Sequence, residues 1–187
     1  ITQFEFIPWM LGQCANLIEV KNLLSRINLR NTSFSEQLPI ADLHWIFTDQ
    51  TGASIVVEAV ADGLKIYDNP VGILTNNPPF NEQLFGLNNY MHLSAASPQN
   101  TFAPGLELKE YSRGMGAIGL PGDLSSESRF VKATFTKFNS LSADDEMSSV
   151  SQFFHILHSV DQQNGCCNLG NNHYEYTIYS DCYNLNE

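Results

Sequence analysis

Two residues stand out for the chemistry they could do: Arg129, within GLPGDLSSESRF (residues 119–130), and Asn76, within ILTNNP (residues 73–78). The first string packs a Pro-Gly turn, an acidic residue, three serines and a single arginine into one corner, then runs into a helical pattern. Nine basic residues face 20 acidic ones in the whole chain, so a guanidinium at the start of an apolar helix calls for a dedicated anionic or polar partner. Asn76 follows the apolar run 71–74 and precedes Asn77, Pro78 and Pro79, where a strand must stop because proline has no N–H for the ladder. A side-chain amide at the mouth of a buried strand is placed to donate to a carbonyl oxygen in a cleft. The plain reading of Ser125, Ser126 and Glu127 is a helix N-terminus, and it stands beside the catalytic one.

A nucleophile does not emerge from spacing. There is no G-x-S-x-G, and the serines at 125, 126 and 128 form a cap-like cluster. Of the four cysteines, Cys14 falls in a helical pattern and Cys166, Cys167 and Cys182 near or in a terminal strand; none has an activating base beside it in sequence, so each reads as an inert buried thiol. His155, His158 and Asp161 share a helical face and could ligate a metal, but the flanking Phe153, Phe154, Ile156 and Leu157 favour a core-edge helix. Neither a metal nor another cofactor is expected. His44, in a strand pattern, reads as a packed imidazole with one nitrogen satisfied.

Composition narrows the field. At 187 residues and 20.9 kDa the chain fits a single domain over residues 1–187, long enough to bury a core. A net charge of −11 lacks the lysine and arginine footprint that phosphate binding needs, so nucleic acid is excluded as a partner. No apolar run approaches the roughly 18 residues of a membrane span, and no secretory leader pattern opens the chain. Adjacent Cys166 and Cys167 make an awkward disulfide framework, so the thiols read as reduced and the protein as cytoplasmic.

These residues need elements to position them. Residues 1–29 read as two helices, the first carrying Phe4, Ile7, Met10 and Leu11, the second capped by Asn16 and carrying Leu17, Val20, Leu23, Leu24 and Ile27. Residues 28–42 form a polar loop in which Phe34 and Leu38 stand out, either as loop anchors or as a pocket wall. From Leu43 the period changes to two: strands are expected at 44–48, 54–59, 64–67 and 71–75, an antiparallel meander with helices over one face or both. A short helix over 80–93 follows, then a long irregular stretch to 119, a helix over 125–141 with Phe130, Ala133, Thr134 and Phe138 on one stripe, an amphipathic helix over 150–160, a loop over 165–172 and a final strand over 174–183. The order is that of an α+β protein with helices layered on sheet.

Longer strings carry a resemblance. LHWIFTDQTGASIVVE (43–58), IYDNPVGILTNNPPF (66–80), YSRGMGAIGLPGDLSSESRFVKATF (111–135), SQFFHILHSV (151–160) and YTIYS (176–180) resemble the conjugated bile salt hydrolases of the choloylglycine hydrolase family, relatives of the penicillin V acylases. The resemblance covers essentially the whole chain. It implies an N-terminal nucleophile hydrolase with an αββα sandwich, whose mature N-terminal cysteine, with its own α-amine as base, cleaves glycine or taurine from a bile acid. Asn76 matches the family's oxyanion-hole asparagine and Arg129 its active-site arginine; Phe34 and Leu38 fall in the loop that lines the steroid pocket. Residues 88–119 match an arm used in tetramer assembly, so the parent is expected to be a homotetramer acting on a small conjugated bile acid.

The chain also departs from the pattern. It opens at what is an interior helix in relatives, so the resemblance implies a partial sandwich lacking the N-terminal and C-terminal strands, an internal fragment inactive by itself. Two other readings stay open: a penicillin V acylase-like hydrolase of N-acyl amides, and a non-catalytic module that binds an amphiphile or serves assembly.

Overall fold

The period-two stretch becomes a three-stranded antiparallel sheet, β1 (His44–Thr48), β2 (Ser54–Val60) and β3 (Gly63–Asp68), in the order β1-β2-β3. Asp49 and Gly52 close the first turn through a Gly52 N–H to Asp49 carbonyl bond of 2.9 Å, and Gly52 takes the positive φ of 80° that the turn requires. That turn sets the register Thr48↔Ser54, and counting back places Trp45 opposite Val57 and His44 opposite Glu58. Trp45, Phe47, Ile55 and Val57 share one face and are buried.

Two helices cover that face. In the computed structural model, which describes residues 1–185, α1 (Phe6–Leu11) and α2 (Leu17–Leu24) contribute Phe6, Met10, Leu17, Val20 and Leu24 to one core with the four strand residues. Phe6 sits edge-on to Trp45 and Phe47, with ring centroids 4.6 and 5.8 Å away, the arrangement the aromatic quadrupole favours. Asn16 caps α2 as expected, its side chain accepting the Glu19 N–H at 3.0 Å. The Asp49 carboxylate accepts the Leu17 N–H at 3.2 Å, which ties the helix start to the β1–β2 turn.

The fourth strand expected at 71–75 is not formed. The Asn69 side chain takes the Val71 and Gly72 N–H groups, at 3.2 and 2.8 Å, before a ladder can. Residues 80–93 split into α3 (Phe80–Gly86) and a 3₁₀ turn at Leu87–Tyr90. The second compact unit, residues 82–183, is distinct from the unit formed by residues 1–81 with Asn184 and Leu185. It holds α4 (Ser126–Asn139) and α5 (Glu146–His158), each capped by an acceptor side chain, Ser125 and Asp145 respectively.

Two expectations for this unit need correcting. Phe138, assigned to the inner stripe of α4 with Phe130, Ala133 and Thr134, is exposed, and α5 buries none of its residues fully. The final strand also differs: β4 (Cys167–Gly170) and β5 (His173–Glu175) form a hairpin where a loop and a long strand were predicted. Asn171 and Asn172 adopt positive φ of 50° and 60°, and two such residues in sequence make the tight turn whose twist suits a hairpin. The stretch 176–183 joins no ladder among the described residues. Among those residues no helix is long and apolar enough to cross a membrane.

Candidate active site

Asn76 stands on an exposed corner between two buried polar clamps. Upstream, Asn69 is 5% exposed; besides accepting from Val71 and Gly72, it donates its side-chain N–H to the Ile73 carbonyl at 3.0 Å. The three groups bonded by its side chain lie on residues 71–73, which lead toward Asn76. Downstream, the chain passes through Asn77, Pro78 and Pro79 into fully buried Phe80, whose N–H donates to both oxygens of Glu58 at 3.1 Å.

Glu58 is the residue that reasoning from spacing missed. Its side chain lies on the sheet face opposite the α1–α2 core and is only 5% exposed. A carboxylate withdrawn from water is strongly disfavoured unless hydrogen-bonded or paired, with an effective penalty of several kcal/mol. Here the Phe80 N–H satisfies it from one side, and His44 Nδ1 lies 3.6 Å from Oε1 across the strand pair. A signal was present in the sequence: one glutamate inside the apolar run SIVVEAV, with a histidine at the position that hairpin register sets opposite.

Arg129 belongs to the second unit and sits one turn into α4, half-buried. Its Nε donates to the Leu124 carbonyl at 3.1 Å, so the guanidinium is folded back over the loop that precedes the helix. That loop is itself anchored. Ser125 Oγ accepts the Ser128 N–H at 3.3 Å, and Asp123 accepts both the Ser125 N–H at 2.9 Å and the Ser128 hydroxyl. The helix-cap reading of the serines therefore holds, and the cap also fixes the base of the arginine. Hydrogen bonds from the Ser125 side chain, then Ser128, hold the Asp123 carboxyl down to about 2.

A depressed folded-state value means that the stabilisation is present above the unfolded value, about 3.9 for aspartate, and is lost as pH falls toward the folded one. The gap in melting temperature between the natural protein and Asp123→Ala should accordingly be open at pH 6, narrow below about 4 and close near about 2. Thermal unfolding followed by circular dichroism across that range checks it, and a gap independent of pH would remove the carboxylate from the account.

Phe34 and Leu38 are brought together by a tight loop: the Phe34 and Ser35 N–H groups donate to the Leu38 carbonyl at 3.1 and 3.3 Å. Their side chains remain 70% and 51% exposed, and the Phe34 ring tilts against Phe4 with centroids 5.6 Å apart. They form an outward apolar pair in the first unit. Asn76 lies in that same unit.

The sequence profile of the linear amide C–N hydrolases, choloylglycine hydrolase family, matches residues 1–187. The chain belongs to that family. It is 59% identical over all 187 residues to a bile salt hydrolase/transferase from Lactiplantibacillus plantarum, covering 57% of that protein, and 35% identical over 183 residues to a conjugated bile acid hydrolase from Lactobacillus acidophilus, covering 58%. The chain thus spans a little over half the length of these curated relatives. Among solved structures it resembles a conjugated bile acid hydrolase from Clostridium perfringens, with a TM-score of 0.78 at 32% identity over 90% of this chain and 52% of that one. A penicillin V acylase from Agrobacterium tumefaciens matches with a TM-score of 0.66 at 20% identity, over 94% and 47% of the two chains, a likeness of fold. The α+β class and the partial N-terminal nucleophile hydrolase fold stand on these likenesses.

Cys14 is half-buried, and desolvation, helped by Glu19, pushes its thiol up, away from the thiolate a nucleophile needs. Cys166 is exposed, which corrects its reading as a buried residue; it follows the positive-φ Gly165 at the tip of a turn. Among the described residues no three His, Cys, Asp or Glu side chains are arranged to hold a metal ion. Asp161 falls past the end of α5.

Proposed function

We propose that this chain is part of an amide hydrolase that releases glycine or taurine from conjugated bile acids. The observation that carries the reading is the match over all 187 residues, at 59% identity, to a protein named for bile salt hydrolysis. The chemistry is acyl transfer: a cysteine thiolate attacks the amide carbonyl, the C–N bond breaks as the amine leaves with a proton, and water hydrolyses the thioester. Asn76 donates its side-chain amide to the oxygen that becomes negative in the tetrahedral intermediate. Arg129 holds the nucleophile's surroundings in position, and Phe34 and Leu38 meet the apolar steroid. The whole chain is read as one catalytic domain.

Penicillin V is the rival substrate. The likeness to the acylase is 20% identical, whereas the Lactiplantibacillus plantarum and Clostridium perfringens relatives, at 59 and 32% identity, carry bile salt hydrolase names. That contrast supports the bile acid. Exposed Phe102 and Tyr111, both 84% accessible, support an assembly role for residues 88–119 and with it a homotetrameric parent, and the free cysteines support a cytoplasmic one.

The test is hydrolysis of glycocholate and penicillin V, side by side, by the natural full-length protein, with its mature N-terminus read by intact mass and sequencing. The expected result is a free N-terminal cysteine and a preference for glycocholate. Preferred cleavage of penicillin V would overturn the substrate, and binding of glycocholate with no cleavage of either would favour the amphiphile-binding module. Arg129→Ala should lower turnover at least tenfold, because the guanidinium also braces the loop before α4 through Leu124; full activity in steady-state assays would remove it from the site.

A further inference from the structure

We infer that Glu58 is a positioning residue for the oxyanion donor, acting on Asn76 through the Phe80 N–H. The inference rests on the oxyanion role of Asn76 proposed above. An oxyanion donor is effective only when its N–H is aimed beforehand at the place where charge develops, so an asparagine on an exposed corner needs its backbone fixed from both sides. Upstream, Asn69 supplies three hydrogen bonds to residues 71–73. Downstream, the only covalent path from Asn76 to a buried anchor runs through Asn77, Pro78 and Pro79 to Phe80. The two prolines fix φ along that path, so an anchor at Phe80 is transmitted to the corner with little slack.

The anchor is built for holding a backbone. Both carboxylate oxygens of Glu58 lie 3.1 Å from the one N–H, and the group is 95% withdrawn from solvent. A charge-assisted acceptor in such surroundings binds an amide more tightly than a neutral one does. A capping role for α3 alone would be met by a solvent-exposed serine or aspartate side chain, as Ser125 and Asp145 do for α4 and α5. Glu58 instead comes from the neighbouring sheet, 22 residues away, with His44 as its cross-strand neighbour. It thereby links the Asn76 corner to the most deeply buried strand.

The experiment is a double-mutant cycle on the natural full-length protein with glycocholate. Glu58→Gln keeps the shape and one acceptor oxygen but loses the charge; it should lower kcat about three- to tenfold with KM within twofold. In an Asn76→Ala background the same change should have no further effect on kcat, because a misaimed donor matters only while the donor is present. Glu58→Ala, which removes the acceptor, should lower kcat more than Glu58→Gln does, with the same dependence on Asn76. A Glu58→Gln protein with unchanged kcat, or one whose loss is equal in both backgrounds, would overturn the inference while leaving Asn76 in the mechanism. If Asn76→Ala itself keeps full activity, the oxyanion reading falls and this inference falls with it.

Discussion

Asn76→Ala should lower kcat of the natural full-length protein toward glycocholate by about two to three decades, with the fold intact. The size follows from what a preorganised donor does: removing one from a tetrahedral intermediate raises the barrier by roughly 2.7–4 kcal/mol. The effect belongs in kcat because the bond strengthens as the carbonyl oxygen takes on charge, so ground-state binding changes little. The fold should survive because Asn76 is exposed and the clamps on either side of it, at Asn69 and Glu58, involve other residues. Steady-state kinetics with unfolding curves for both proteins measure the two parts separately. Unchanged kcat in a properly folded variant would take Asn76 out of the mechanism.

Phe6→Ala carries the largest expected loss of stability, about 3–5 kcal/mol. Phe6 is fully buried and makes edge contacts with both Trp45 and Phe47, so truncation removes apolar burial and two oriented aromatic pairs together. Its neighbours cannot close the gap cheaply: Met10 is also fully buried, and Ile55 and Val57 are held in a three-stranded ladder. Denaturant unfolding should show a lower midpoint with an unchanged slope, and Phe6→Leu, which refills most of the volume, should lose no more than about 1.5 kcal/mol. A Phe6→Ala loss below about 1 kcal/mol would mean that the α1–sheet contact contributes little to the cooperative unit.

The positions most legible in the sequence are those whose hydrogen bonds are local. Asn16 and Ser125 each cap a helix whose start can be read from periodicity, because the capping acceptor and its N–H donor are three residues apart, whereas α5 starts at Glu146, four residues before the expected 150. The β1–β2 hairpin follows for the same reason: a four-residue turn sets its register, and alternation says which face is buried. Asn76 and Arg129 could be singled out from residue type and punctuation alone. Their roles came from the resemblance of long strings, not from spacing.

Where the reading failed, the deciding contact was of another kind. Residues 71–75 have strand composition, but Asn69 removes their first N–H groups from any ladder, and a side chain competing with a sheet partner leaves no mark on periodicity. The stretch 174–183 alternates, yet only His173–Glu175 pairs, because a strand needs a neighbour and Cys167–Gly170 reaches no further.

By itself, then, the sequence determined the existence of the α-helices, the Asn16 and Ser125 caps, the first hairpin and its inward face, and the family, since these depend on neighbours in the chain or on long matched strings. Only the tertiary structure decided that Glu58 meets the Phe80 N–H, that Asn69 turns the chain toward Asn76, that Arg129 folds back on Leu124, and that the expected inner stripe of α4 stops short of Phe138. The physical reason is the same in most of these cases. A buried polar group finds its partner by proximity in space, and burial itself depends on what packs against a face, which neither residue type nor period encodes.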